Sequence, residues 1–218
     1  MENLLNFPQS TIVDKNVPKK AFYGRSSQDM QFKLKELLTN EFDSITWLYK
    51  LTAATMNVGD GENVHEIDVF LCRMKMNHYS INPFCGMDGL LPRHTMFIIE
   101  YGGHFDLLMH HKTMTMVKGE EKWTRGVSEW QRDVKLSDVH LQLDGQTMDY
   151  IYGSLLGQIS GLNTHEESEY EQAAADRKEM VQLQKQIEAL EKRCRTEKQT
   201  RKKYELHQQI IELKKLLK

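Results

Sequence analysis

Residues 95–101 (TMFIIEY) are almost continuously apolar, two glycines follow, and residues 104–110 (HFDLLMH) resume the apolar pattern. Two strand-like runs joined by Gly102 and Gly103 predict a β-hairpin, because a type I′ turn needs positive φ at both central positions. An apolar run without alternation predicts a strand covered on both faces, and so one in the middle of a sheet.

The flanking segments follow from the same kind of pattern. Residues 1–25 hold Pro8, Pro18 and Gly24 without periodicity, and their scattered apolar residues predict an extended arm pinned across the body. Met30, Leu34, Leu37 and Leu38 fall at helical spacing and predict a helix over 28–41, with an N-cap at Ser26 or Ser27 and Asp29 in the first turn. Residues 45–52 (ITWLYKLT) read as a strand. After a turn at Gly59-Asp60-Gly61, residues 63–76 read as a long strand that is apolar on both faces around 67–71. A short helix is expected within 79–92, a stretch interrupted by Pro83, Gly86, Gly89 and Pro92. Residues 113–133 predict one strand or a long loop, and the alternating 139–143 (VHLQL) predicts a last strand. Met148, Ile151, Tyr152, Leu155, Leu156 and Ile159 share one face of a helix over 148–159, which Gly161-Leu162-Asn163 ends.

Beyond Thr164 there is no glycine and no proline. Met180, Leu183, Ile187, Leu190 and Cys194 step by 3 and 4, the spacing of a coiled-coil seam. The register fails at Glu197 and Arg201, and Leu206, Ile210, Leu213 and Leu217 resume it in a shifted frame. With no turn residue between the two sets, one long helix is expected, a helical hairpin being the alternative.

Charge sharpens this division. The net charge of the 218 residues is −2, yet residues 185–218 carry 11 Lys and Arg against 5 Asp and Glu. Seven of these bases (Lys192, Arg193, Arg195, Lys198, Arg201, Lys202 and Lys203) crowd into 192–203. An acidic body with a basic tail implies a negatively charged partner, such as nucleic acid or an acidic protein, and on one continuous helix Arg195, Lys198 and Lys202 would share a face. The alternative is a solvated helix that carries extra lysines. No run of about 18 apolar residues predicts a membrane span, and no charged-then-apolar leader opens the chain. Three cysteines without a CxxC pair suggest ordinary thiols in a cytoplasmic protein.

A colinear series of residues runs from end to end. It comprises Asn6-Phe7-Pro8, Val17-Pro18-Lys19, Trp47 with Leu48, Tyr49, Lys50 and Leu51, Thr55-Met56-Asn57, and Val64-His65-Glu66 with Ile67, Asp68, Val69 and Phe70. It continues through Pro92-Arg93-His94 before Phe97, Glu129-Trp130, residues 141–145, Glu197-Lys198-Gln199, Arg201-Lys202 and Glu205. This series resembles the bacterial family of the domain of unknown function 4391. The resemblance implies an accessory component encoded beside helicases and DNA methyltransferases in restriction- or phage-defence-like operons. A protein partner and DNA are thereby implied, and no catalytic residue is.

A metal-dependent nuclease would suit that setting. Such a site needs carboxylates for Mg²⁺ and a lysine to position the nucleophile. Glu66 and Asp68 share one strand face, Glu100 and Asp106 lie on the central hairpin, and Lys112 ends it. Glu100-Tyr101-Gly102 is not Glu-x-Lys, however, and Glu121-Lys122 falls in a polar stretch. His104 and His110 stand six positions apart, roughly 20 Å along a strand, too far to share one ion. With Cys72 and Cys85 in unrelated elements, no zinc site and no cofactor is expected. Phosphate-binding glycine loops and the GxSxG elbow are absent from the sequence. Trp123 and Trp130, set among polar residues, suggest an aromatic patch.

Together these patterns predict an α+β domain over 26–162 with a mixed or antiparallel sheet and flanking helices. An N-terminal arm (1–25) and a coiled-coil-like helical extension (163–218) complete the chain. The expected function is a non-enzymatic accessory or scaffold subunit of a DNA-processing complex, joined through the C-terminal helix, with self-association as a further use of that helix. The alternative is a nuclease-like subunit working through Glu66, Asp68, Glu100 and Lys112.

Overall fold

The computed structural model describes residues 3–24, 28–117, 120–162 and 164–217. They form two compact units, Met1–Tyr170 and Glu171–Lys218. The first is built on a six-stranded mixed sheet in chain order: β1 (Ile12–Asn16), β2 (Phe42–Thr52), β3 (Glu66–Met74), β4 (His94–Tyr101), β5 (His104–Val117) and β6 (Glu120–Val134). Its helices are α1 (Lys20–Tyr23), α2 (Gln28–Glu41), α3 (Ala53–Met56), α4 (Asn82–Leu90) and α5 (Met148–Ser160). Two more follow, α6 (Glu167–Thr196) and α7 (Thr200–Leu216).

The double-glycine hairpin lies inside the sheet with its first strand, β4, at the centre, as its apolar pattern requires. Gly102 and Gly103 both take positive φ (55° and 83°), so Tyr101 pairs with His104 across a two-residue turn. One neighbouring pair is parallel: α4 carries the chain from β3 back to start β4 alongside it. Such a parallel pair leaves both faces to be covered by helices. On one face Phe70, Phe97, Leu108 and their neighbours bury against Leu34 and Leu38 of α2 and Phe84 and Met87 of α4. On the other, Tyr152 of α5 reaches the β5 backbone, accepting from the Lys112 N–H at 2.9 Å. Helix α5 starts at the Thr147 cap and ends at Gly161, whose φ is 72°. Its Gly153 and Gly157 let the chain at 164–167 lie against it, since a Cβ at either would fall about 2.2–2.4 Å from that backbone.

Four details depart from the sequence reading. The arm is pinned, but by pairing: residues 12–16 form the edge strand β1 against β2. Residues 113–133 are neither a single strand nor a loop; β5 extends to Val117 and returns as β6. Residues 139–143 join no ladder. There the Gln158 side chain acts as a substitute strand, accepting from the Gln142 N–H at 2.8 Å and donating to the Gln142 carbonyl at 2.9 Å. The fourth is the C-terminal segment, which is two helices rather than one. Lys214 meets Glu191 at 2.7 Å and the Cys194 thiol donates to the Lys203 carbonyl at 3.7 Å, so α7 runs antiparallel to the end of α6. The break needs no glycine, because the Gln199 N–H donates to the Glu197 carboxylate at 2.8 Å. The expected N-cap at Ser26 or Ser27 lies outside the described residues, as do Asn163 and the side chains of Asp29 and Met30.

Candidate functional site

A polar row crosses the α4 face of the sheet. Asp68 pairs with Thr95 and His110 with Ser128, and the Met96–Met109 register sets Thr95 beside His110. The adjacent row, Phe70, Phe97, Leu108 and Trp130, is apolar or aromatic throughout. Asp68, Thr95 and His110 are each at most 2 % exposed, so their polar atoms depend on protein partners. Helix α4 supplies one of these: Asp88, fully buried, accepts the Thr95 hydroxyl and the Lys112 ammonium (3.1 Å) on the same oxygen. Lys112 also donates to the carbonyls of Leu91 (3.0 Å) and Arg93 (2.7 Å). All three of its protons are used to fasten the α4–β4 connection to the sheet.

That connection carries Arg93. One guanidinium nitrogen of Arg93 bonds both Glu66 and Asp68, the latter at 3.2 Å, and Lys50 of β2 reaches Glu66 at 2.9 Å. Burial and the neighbouring Glu66 carboxylate push the Asp68 carboxyl up to about 7, and Arg93 opposes them. Burial also raises Asp88 and lowers Lys112, each drawn back toward its charged form by the other. His110 is pushed down to about 3 by burial, then by Arg125 and Lys112. His94 is likewise pushed down to about 3, by burial and Lys112. Both imidazoles are therefore neutral at physiological pH. Among the described residues, three buried atoms in this network have no hydrogen-bond partner: Asp68 Oδ1, Asp88 Oδ2 and His110 Nε2. Leaving such a group unpaired costs about 1–3 kcal/mol. Beside Arg93 a cleft of about 240 Å³ opens, lined by Asn63, His65, Glu66, Pro92, Arg93, His94 and Trp123.

The family model for a domain of unknown function (DUF4391) matches residues 5–217, nearly the whole chain. The chain belongs to the DUF4391 family. No curated protein and no solved structure matches it.

Two of the four acids and bases picked out for a nuclease, Glu66 and Asp68, meet through Arg93 in this DUF4391 fold, whereas Lys112 binds Asp88 and the Leu91 and Arg93 carbonyls. Glu100 does not join them. It lies at the other end of β4, paired with Arg73 at 2.8 Å. Asp106, on the same face of β5 beyond the apolar row, is fully buried. It accepts from the hydroxyls of Tyr79 and Tyr101 (2.9 Å), from the Asp133 N–H (2.7 Å) and from Arg132 (3.2 Å). Asp88, Thr95 and Arg93 were missed by the sequence reading. Their signals were an acid inside the apolar helix 82–90 and an arginine just after Pro92.

The three hairpin histidines are engaged separately: His104 with Asp133 (2.5 Å), His110 with Ser128 (2.9 Å) and His111 with Glu167 (3.1 Å). Trp123 and Trp130 do not share a patch. Trp123 packs on His94 in the cleft, whereas Trp130 carries Arg132 at 3.9 Å and faces Tyr79. Cys72 is buried and its thiol is pushed up by burial.

In the second unit the two seams sit on the two arms of the α6–α7 hairpin. Ile187 and Ile210 are buried; Leu183, Leu190, Cys194, Leu206, Leu213 and Leu217 are half-buried, and Met180 is exposed. The seven bases of 192–203 lie on both sides of the turn and are all exposed. The shared helical face of Arg195, Lys198 and Lys202 does not form, because the helix ends between them.

Proposed function

We propose that the chain is a non-enzymatic accessory subunit of a DNA-processing assembly, using the α6–α7 hairpin for contact. The observation that carries this reading is the exposed tip, where Lys192, Arg193, Arg195, Lys198, Arg201, Lys202 and Lys203 surround a turn holding one acid, Glu197. Clustered exposed bases follow phosphates without reading sequence. The acidic remainder of the chain favours a contact confined to this tip, in keeping with a helper that is placed on nucleic acid by a partner. Titration of duplex DNA at several salt concentrations tests it. Binding should fall steeply with salt, by close to one unit of log slope per phosphate neutralised. Changing Arg195, Lys198 and Lys202 to Gln should flatten that slope, and undetectable binding of DNA and RNA at low salt would overturn the nucleic-acid contact.

The bridging of Glu66 and Asp68 by Arg93, whose carbonyl takes the Lys112 ammonium, favours a second reading: a nuclease-like subunit. Incubation with linear and supercoiled DNA in Mg²⁺ or Mn²⁺ decides it. Cleavage lost in Asp68→Asn would promote this reading above the first.

A further inference from the structure

We propose that Glu66 and Asp68 form a divalent-cation site of the oxygen-ligand kind that takes Mg²⁺ or Mn²⁺, with the Arg93 guanidinium standing at the cation's position. The inference deepens the nuclease-like reading, but its test does not depend on cleavage. The two carboxylates project from one face of β3, two residues apart, and a single Arg93 nitrogen bonds both. That nitrogen marks a point where one positive charge meets two acids. Magnesium is commonly held by one or two carboxylates with water completing its octahedron, so two acids suffice.

Three further features single this point out. Asp68 is 2 % exposed, and its Oδ1 has no hydrogen-bond partner among the described residues, since Arg93 reaches Oδ2. A cation held by Asp68 supplies what that oxygen lacks. Arg93 is the occupant a cation would displace: its backbone is tied down through the Lys112 ammonium, while its side chain, though bonded to both acids, is 38 % exposed. Finally, Glu66 and Arg93 line the cleft, so the site is reached from outside. By contrast Asp106, just as buried, has both oxygens engaged and no room for a metal in its hydrogen bonding.

Trp123 lines the same cleft as Glu66 and provides the readout. Terbium, a hard cation that takes the oxygen ligands of Mg²⁺ and Ca²⁺, emits when a nearby tryptophan is excited. Titration of the whole chain with Tb³⁺ should give saturable, tryptophan-sensitised emission that Mn²⁺ and Mg²⁺ displace. Asp68→Asn and Glu66→Gln should each weaken binding, and Arg93→Gln should tighten it as the competing positive charge is removed. That opposite response distinguishes a cation site from a mere ion-pair network, which Arg93→Gln would only loosen. Circular dichroism checks the fold of each variant, and Glu66→Gln carries the test if Asp68→Asn fails to fold. Absence of saturable emission in both wild type and Arg93→Gln overturns the proposal, as does emission unchanged in both carboxylate variants. Cation binding without DNA cleavage sustains the site and removes only the nuclease-like reading.

Discussion

Asp106 and Asp68 are buried acids on the same face of one sheet, on opposite sides of the row Phe70, Phe97, Leu108 and Trp130. Asp106 has a donor for every need: two tyrosine hydroxyls, a backbone N–H and a guanidinium. The backbone itself contributes, for Asp133 sits at φ 51° and presents its N–H to that carboxylate. Asp68 shares Arg93 with Glu66, lies against the Glu66 carboxyl itself, and keeps one oxygen without a partner among the described residues. A saturated buried carboxylate holds a structure together, whereas an unsaturated one costs stability and marks a place where stability has been given up for something else.

The comparison can be broken most forcefully at Asp106. Asp106→Ala strands four donors, two of them tyrosine hydroxyls, and should cost about 3 kcal/mol, read as a lower midpoint in denaturant. A midpoint unchanged in that variant would remove the structural half of the contrast.

Acid should probe the Asp68 end next. His94 and His110 are both held near 3, well below the ordinary histidine value. A base whose folded pKa is depressed contributes stability above its unfolded pKa and loses it as pH falls toward the folded one. Stability should therefore drop from about pH 6.5 downward, and His110→Gln should recover on the order of 2 kcal/mol of that loss at pH 4. Asp68 has the reverse sign, because a raised carboxyl binds more protons folded than unfolded. Its contribution fades as pH rises from about 4 to 7, so Asp68→Asn should flatten the neutral side of the profile. Urea midpoints of the three proteins across pH 4–8 check both signs.

The hairpin of the second unit should respond locally. Ile210→Ala removes one of its two buried aliphatic side chains and should loosen α7 toward proteolysis while the main unfolding transition of the sheet stays in place. Smallest of all, Lys198→Gln at the exposed tip should leave stability within about 0.5 kcal/mol of wild type, with its effect confined to binding.

Much of the fold was legible because local and tertiary demands agree. The apolar run at 95–101 with its two glycines, the helical spacing of Leu34 and Leu38, and the stop at Gly161 each admit one solution. The sequence misled where a side chain took over a backbone's task. Gln158 serves residue 142 as a strand would, so the alternating 139–143 found its partner without a ladder. Glu197 serves the 197–199 turn as a glycine would, so one helix became two. Residues 113–127 hid for a different reason, since exposed residues such as Met114, Met116 and Val127 give that arm no clean apolar face. At the site the acids on β3 were visible as an i, i+2 pair. The partners that define them came from elsewhere: Asp88 from α4 and Arg93 from the connection after it. No spacing in the sequence relates those positions to Asp68.

The most direct test of the contrast is a side-by-side thermal unfolding of Asp106→Asn and Asp68→Asn near pH 7.5, since both changes keep the side-chain shape. Asp106→Asn puts an amide among donors and should lower stability by about 2 kcal/mol. Asp68→Asn keeps an acceptor for Arg93, removes an ill-placed charge and should be neutral or stabilising. Equal losses in the two variants would contradict the account, because Asp68 would then be as structural as Asp106.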